Sequence, residues 1–350
     1  MDWVYSQADF MPQPHERLLP ALGIHLAIHV ALFELVSWVI VLPLTGFGLL
    51  HATAVGLAAA VLAVLIERLL APWLITSLLK PHWIGRKDDI VLWSLVDAWA
   101  EKAGFRAWRL GEVDLEAPDA FVVSSVAGRP VILLTRGLLA ELTSREVGAV
   151  VTYLMGCSRS GLLSVATAQA GILSLSSRIA GGYIRSRLEG KSTGIIDILL
   201  AGWGYLLFAF TYTQHASACE QMSRFADEFC LVQIASHSSF MTALVKVSAG
   251  LGGKPKGKIR AIGASLKGLA FQDPVSAIRD FYSLRDVARK YGFDMERLMG
   301  YDLSAPREAA VLHVFERFWV HPHVGERLER AAEFGRDVLS TMILEKRGVE

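Results

Sequence analysis

The sequence predicts an α-rich membrane protein of the α+β class, with four hydrophobic helices in two hairpins and a mainly helical soluble part that carries a small β-sheet. Composition favours a membrane protein, because 53% of the 350 residues are hydrophobic and 20% are charged, against about 25% charged in typical soluble chains. Four long apolar runs and one β-like stretch supply the elements. The near balance of 35 basic and 34 acidic residues argues against a protein that binds nucleic acid through bulk charge.

The first two apolar runs, residues 21–42 and 49–66, each have the length needed to cross a hydrocarbon core of about 30 Å as a helix. Only residues 43–48 separate them, so residues 1–71 are predicted to form an N-terminal transmembrane hairpin in the lipid bilayer. Basic residues after the second run place the N terminus and the soluble domain in the cytoplasm by the positive-inside tendency. We therefore expect an integral protein of a bacterial inner membrane. The basic residues are Arg68, Lys80, Arg86 and Lys87.

Residues 72–160 are predicted to begin the soluble domain with a helix, a small sheet and a second helix. Apolar residues recur at helical spacing over residues 90–104. Thr143, followed three residues later by Glu146, fits a capping box and predicts a helix from about residue 143. A turn is predicted at Gly128. The predicted strands are residues 107–113, 121–126 and 131–134.

The second pair of apolar runs, residues 161–177 and 195–213, lies in a predicted hairpin over residues 161–214. Its first run is rich in Ser, Ala and Gly and is therefore the weaker prediction of a span. Residues 215–350 are mainly helical in pattern and complete the soluble domain. The Gly/Lys/Pro stretch at residues 250–257 lacks the order of a phosphate-binding loop, so nucleotide binding is not indicated.

Five segments form an ordered pattern along the chain. PDAFVVSS and PVILLTRGLLAELTSREVGAVV lie within residues 118–151, and ATAQAGILSLSSRIAGG covers residues 166–182. SRFADEFCLVQIA covers residues 223–235, and HPHVGERLERAAEF covers residues 321–334. Together they resemble the HtpX-like integral-membrane zinc metallopeptidases, the family that includes the CAAX prenyl proteases. The resemblance implies a zincin-like domain whose two parts, residues 72–160 and 215–350, flank the second hairpin.

The metal-binding motif of that family is replaced in this chain. Active members carry H-E-x-x-H on one helix, where two imidazoles bind Zn²⁺ and the glutamate is the general base for a metal-bound water. Ser223 stands where the family has its third ligand, a glutamate. Phenol, leucine and hydroxyl groups are poor zinc ligands or bases, so we expect an inactive homologue with no cofactor. The five residues at the motif are Tyr153, Leu154, Met155, Gly156 and Cys157.

A non-standard metal site is the alternative. Cys157, Cys219 and Asp227 could supply ligands, and the chain would then be an active membrane metalloendopeptidase. His215, Cys219, Ser223 and Asp227 recur every four residues on one helix face. However, His215 and Ser223 are two turns apart, roughly 11–12 Å, so one ion cannot reach the whole set.

The resemblance also places Asp227, His321 and Arg327 around the cleft. In active members the aspartate orients a metal ligand. Without a metal-bound histidine, we expect Asp227 to cap a helix or to bond to backbone, and we expect His321 and Arg327 to hold the fold.

Three ionisable residues lie in the first apolar run. His25 and His29 share one helix face, whereas Glu34 is about 180° away from His25 on an ideal helix. The three therefore cannot form one site on this helix alone. Because an intramembrane carboxyl is costly, we expect Glu34 to contact another helix of this chain or of a partner subunit. The histidines are expected near the membrane interface.

Three functions follow from these features. The first is a scaffold or binding subunit for a membrane protein or peptide, which would pair with the edge of the small sheet by β-augmentation. The second is the metalloendopeptidase with a non-standard site at Cys157. The third is a channel, transporter or lipid-handling protein in which Glu34 and the two histidines line a pathway.

Overall fold

The computed structural model describes residues 14–41, 46, 48–189, 194–234, 237–253, 266–272, 322 and 324–334. Within these ranges the chain is mostly helical and holds one four-stranded mixed sheet. Two described helices are long and apolar enough to cross a membrane, and one bent pair would make a third. The predicted mainly helical fold with a small sheet is thus confirmed, but the described part of the chain offers two to three candidate spans rather than the predicted four.

The N-terminal hairpin consists of α1 (Pro14–Val36), which continues into a π-helical turn (Ser37–Val41), and α2 (Leu49–Leu79). The two helices pack against each other. Small buried residues on α2, Ala52, Gly56 and Ala60, allow the close approach that membrane helices use for packing. The predicted hairpin is therefore present, with the Ser37 hydroxyl donating to the Ala52 carbonyl near the turn.

Helix α2 is longer than the sequence pattern predicted. Its apolar run ends at residue 66, but the helix continues to Leu79 because Glu67 and Arg68 are both good helix formers. Lys80, with a φ of 47°, ends the helix in the left-handed region. Residues 72–79, which were predicted to begin the soluble domain, are therefore a continuation of α2.

The sheet is formed by residues after α2. Its first strand precedes α3 (Ile90–Lys102) in the chain, and its other three strands follow α3. Its strands are β1 (His82–Trp83), β2 (Arg109–Val113), β3 (Ala120–Ser124) and β4 (Pro130–Thr135), in the spatial order β1-β2-β4-β3. Strands β2 and β4 are parallel, and the other two pairs are antiparallel. The three predicted strands are confirmed to within a few residues, whereas β1 is too short to carry an alternating pattern. Gly128, at φ +75°, lies in the predicted turn.

Five further helices complete the described chain before its last segment: α4 (Arg136–Glu141), α5 (Ser144–Arg159), α6 (Leu163–Leu188), α7 (Ile195–Gln233) and α8 (His237–Gly253). Residues 324–334 form α9. Helix α5 begins at the predicted capping box, in which Thr143 and Glu146 bond reciprocally. It packs against β3 and β4, so it belongs to the sheet-bearing domain although it meets α6 in a 93° bend.

Two glycines allow neighbouring helices to pack closely: Gly156 between α5 and α7, and Gly171 between α6 and α2. A Cβ at Gly156 would lie 2.9 Å from the Cα of Ala226, so only glycine lets α5 approach α7 this closely. A Cβ at Gly171 would lie 2.5 Å from the Cβ of Ala71, which fixes α6 against α2. Helix α7 runs unbroken from its apolar first half into the half that carries Ser223 and Asp227.

Candidate functional site

The close approach of α5 and α7 brings Tyr153 and Ser223 into contact, two of the positions at which the resemblance implies zinc ligands in active members. The Tyr153 hydroxyl donates a hydrogen bond to Oγ of Ser223 at 2.9 Å, and both residues are fully buried. Burial raises the pKa of Tyr153 well above its ordinary value, so the phenol stays neutral. The Tyr153 and Ser223 side chains thus satisfy each other.

Cys157 lies one turn after Tyr153 and is also buried. Burial raises the pKa of its thiol to about 12, and a thiol in this state is a poor ligand because metals bind the thiolate. Leu154 is fully buried in the hydrophobic core. Cys219 contacts His215 of its own helix at 3.6 Å, on the preceding turns of α7.

Asp227 and Arg327 form a buried ion pair between α7 and α9. The Nε of Arg327 donates to both carboxylate oxygens at 3.0 and 3.1 Å, and Nη2 donates at 2.8 Å. Its Nη1 donates to the Phe271 carbonyl and to Oε1 of Gln272. Burial alone would lower the pKa of Arg327, but the Asp227 carboxylate raises it overall, so the guanidinium keeps its charge.

The expectation that Asp227 caps a helix or bonds to backbone is therefore wrong. A buried carboxylate needs a compensating charge, and Arg327, one hundred residues further along the chain, supplies it. Arg327 has the fold-holding contacts that we expected. His321 lies outside the described residues.

Residues 269–272 cover the edge of the sheet. The amide of Phe271 donates to the Ala120 carbonyl at 2.7 Å, and Ala270 pairs with Phe121 as an antiparallel bridge. The ring of Phe271 stands edge-on to Tyr153, with centroids 5.0 Å apart. The chain itself therefore lies where an added peptide strand would pair with β3.

The edge strand β3 is not free for the predicted pairing with an added peptide strand. All five residues of β3 are buried, and the Ser124 amide donates to Oγ1 of Thr167 on α6. The opposite edge strand, β1, has two exposed residues. Of the two sheet edges, β1 is the one that remains accessible.

A second polar cluster joins the N-terminal hairpin, and we call it the His–His–Glu cluster (His25, His29, Glu67). Nε2 of His29 lies 2.8 Å from one oxygen of Glu67, and Nε2 of His25 lies 3.2 Å from the other. The histidine side chains are 2% and 1% exposed, and that of Glu67 is 17% exposed. The shared face of the histidines thus faces a carboxylate of α2.

Helices α6 and α7 add two amides beside the cluster. Nδ1 of His25 lies 3.4 Å from Oε1 of Gln214 on α7. Gln169 of α6 donates to the same oxygen at 3.4 Å. Side chains from four helices therefore converge on this point.

Glu34 lies apart from this cluster. Its carboxyl group packs over Gly56 of α2, where a Cβ would meet it at 2.9 Å. Among the described residues, its Oε2 is buried without a hydrogen-bond partner. Gly56 and Glu67 are eleven residues apart on α2, about 16 Å of helical rise, so Glu34 is not part of one site with the histidines. The expected contact with another helix is made within the chain.

Glu67 is the functional candidate that sequence reasoning missed, and the sequence contained a signal for it. His25 and Glu67 are equally far from Gly46 in the turn of the hairpin. Antiparallel helices pair residues at equal distances from their connection, so a charged residue at 67 belongs opposite the histidine pair. By local pattern alone, Glu67 is only the first charged residue after the second apolar run.

Within the described ranges, one group of three or more His, Cys, Asp or Glu residues has ligand atoms all within 4.8 Å of one another, and it is the His–His–Glu cluster. Cys157, Cys219 and Asp227 are described and form no such group. The chain matches no protein-family model, no curated protein and no solved structure at a significant level.

Proposed function

We propose that this chain is a catalytically inactive membrane metallopeptidase homologue that serves as a scaffold or binding subunit for a membrane protein or peptide. The observation that carries the proposal is the Tyr153–Ser223 hydrogen bond, which joins the first and third former ligand positions through two buried neutral groups. Neither group is a good zinc ligand.

The surroundings of this pair support the same reading. Asp227, which would orient a ligand in an active relative, is fully engaged by the guanidinium of Arg327. The ring of Phe271 packs on Tyr153, and its backbone pairs with β3. Water activation needs a metal or a base next to an accessible substrate, and here a side-chain core stands at that place.

The binding element in this proposal is the exposed edge at β1, because β3 is already covered. Trp83 there is stacked by the guanidinium of Arg109, 3.9 Å from the ring centroid, which holds the edge in a defined shape. Strand β1 lies directly after the end of α2, where a partner anchored in the same bilayer can reach it.

A two-armed experiment tests the proposal on the full chain in its native membrane. A photo-crosslinking amino acid at His82 on β1 is expected to trap one partner in stoichiometric yield. The same probe at Val126, an exposed residue of the β3–β4 turn, is the matched control and is expected to trap none. Equal trapping at both positions, or none at either, contradicts binding at β1.

The second arm tests inactivity. Purified chain in lipid nanodiscs is incubated with unfolded model polypeptides, with and without a chelator, and no cleavage is expected. Chelator-sensitive cleavage that disappears in C157S would establish the alternative metalloendopeptidase. Loss of a measured ion or lipid flux in E34Q would support the third function, a transporter or lipid-handling protein.

A further inference from the structure

We propose that the His–His–Glu cluster binds a divalent transition-metal ion, and that Zn²⁺ is its best match. Two imidazole nitrogens and one carboxylate are the donor set of many three-ligand zinc sites. Hard cations such as Mg²⁺ and Ca²⁺ prefer all-oxygen ligands, so the chemistry of the donors selects against them. This inference does not depend on the proposed scaffold function.

The distances suit an ion of this size. Nε2 of His29 and Nε2 of His25 lie 2.8 and 3.2 Å from the two oxygens of Glu67. Tetrahedral zinc, with ligand distances of about 2.0–2.1 Å, holds its ligands roughly 3.3 Å apart. The three ligand atoms all lie within 4.8 Å of one another, so shifts on the order of 1 Å would bring them to that spacing.

The histidines are held in orientations that direct Nε2 toward the centre. Nδ1 of His29 lies 3.0 Å from the backbone carbonyl of His25, and since a carbonyl only accepts, Nδ1 carries the hydrogen. Nδ1 of His25 faces Oε1 of Gln214 in the same manner. An acceptor on the second ring nitrogen is the usual support of a metal-bound histidine.

The electrostatics of the cluster also call for a cation. With hydrogen on both Nδ1 atoms, each neutral Nε2 presents a lone pair to a carboxylate oxygen, and two acceptors repel each other at this distance. Positive charge must lie between them, as protons or as a metal ion. A Zn²⁺ ion satisfies both contacts at once.

The position in the fold gives the ion a defined role. Glu67 is eighteen residues from Leu49, about 27 Å, and twelve residues from Leu79, about 18 Å, along α2, so the cluster lies in the half of the hairpin that is nearer the sheet-bearing domain. The ion would fasten α1 to α2 beside Gln169 of α6 and Gln214 of α7. The partial exposure of Glu67 provides a way in for the ion.

Zinc titration of the full chain in nanodiscs, in competition with a chromophoric chelator, tests the proposal. We expect one Zn²⁺ per chain. H29Q and E67Q each remove one ligand and are expected to weaken binding by more than about 100-fold, since even outer-shell changes cost 10–100-fold. E34Q removes a carboxylate from the same hairpin without touching the cluster and is expected to bind as the wild type does.

Two controls keep the result interpretable. Circular dichroism and melting temperature without zinc report whether H29Q and E67Q are folded. Should they not fold, the wild-type chain loaded with Co²⁺ decides, because intense ligand-field bands of four-coordinate cobalt support the cluster and the weak bands of six-coordinate cobalt overturn it.

Three results would overturn the proposal: a folded wild-type chain that binds no zinc, folded H29Q and E67Q variants that bind zinc as tightly as the wild type does, or zinc binding that depends on Cys157 and not on His29. The last result would count against the proposed inactive site as well. If the cluster binds zinc, and if the wild-type chain cleaves polypeptides while C157S does not, this proposal stands and the proposed function fails.

Discussion

The two polar clusters of this protein differ in whether their groups are balanced by the protein itself. Around Tyr153 the buried phenol has its acceptor in Ser223, and the Asp227 carboxylate has its opposite charge in Arg327. In the His–His–Glu cluster, two imidazoles converge on one carboxylate from an adjacent helix. A buried set that is already balanced has a structural role, whereas ligand atoms gathered around a common centre are suited to hold a cation.

The largest expected effect is at Arg327, the counter-charge of the buried Asp227 carboxylate. R327M leaves the Asp227 carboxylate buried without a counter-charge and is expected to cost about 3–5 kcal/mol of unfolding free energy. Urea unfolding in mild detergent, followed by tryptophan fluorescence, measures the loss. The double variant D227L/R327M removes both charges and should recover a large part of it, and a double variant no more stable than R327M would show that the pair itself was not the cause.

F271A tests whether residues 269–272 are an integral part of the core around Tyr153. F271A removes a fully buried ring that packs on Tyr153 and is expected to cost about 3–5 kcal/mol through lost burial and a cavity. The same unfolding assay applies. L19A, at a residue 66% exposed on α1, is the matched control and should stay within about 0.5 kcal/mol; a similarly small effect of F271A would contradict the assignment.

The Tyr153–Ser223 hydrogen bond is a smaller test of whether two buried polar groups stabilise the fold as a pair. Y153F leaves Ser223 without the donor that it accepts from and is expected to cost about 1–2 kcal/mol. Y153F/S223A removes both partners and should be closer to the wild type than Y153F alone. If the double variant were the sum of two independent losses, the two groups would not be acting as a pair.

The smallest expected effect is at the capping box of α5. Burial opposes ionisation of Glu146, but bonds from Lys246 and Thr143 lower its pKa overall below the ordinary 4.5. Its contribution to stability is therefore present above pH 4.5 and is lost as the pH falls through the lowered folded pKa. E146Q is expected to cost about 1 kcal/mol at pH 7, and the difference from wild type should shrink in acid; a difference constant down to pH 3 would contradict the charge-based account.

Local patterns predicted the local parts of this structure. The α1–α2 hairpin, the three longer strands and the capping box at Thr143 each depend on residues within one element or its neighbour. The Asp227–Arg327 pair and the pairing of Ala270 with Phe121 join residues one hundred or more positions apart, and no periodicity encodes such contacts. The contact of Glu67 with His25 and His29 is an intermediate case, because the position of the hairpin turn in the sequence determines which residues of α1 and α2 lie opposite each other.

Zinc-edge anomalous diffraction from crystals of the full chain grown with Zn²⁺ tests the central claim, because it locates the ion as well as detecting it. The account predicts one anomalous peak within ligand distance of Nε2 of His25 and His29 and of the Glu67 carboxylate, with no peak beside Cys157 and Ser223. A peak held by residues of α5 and α7 at that second position would contradict the account.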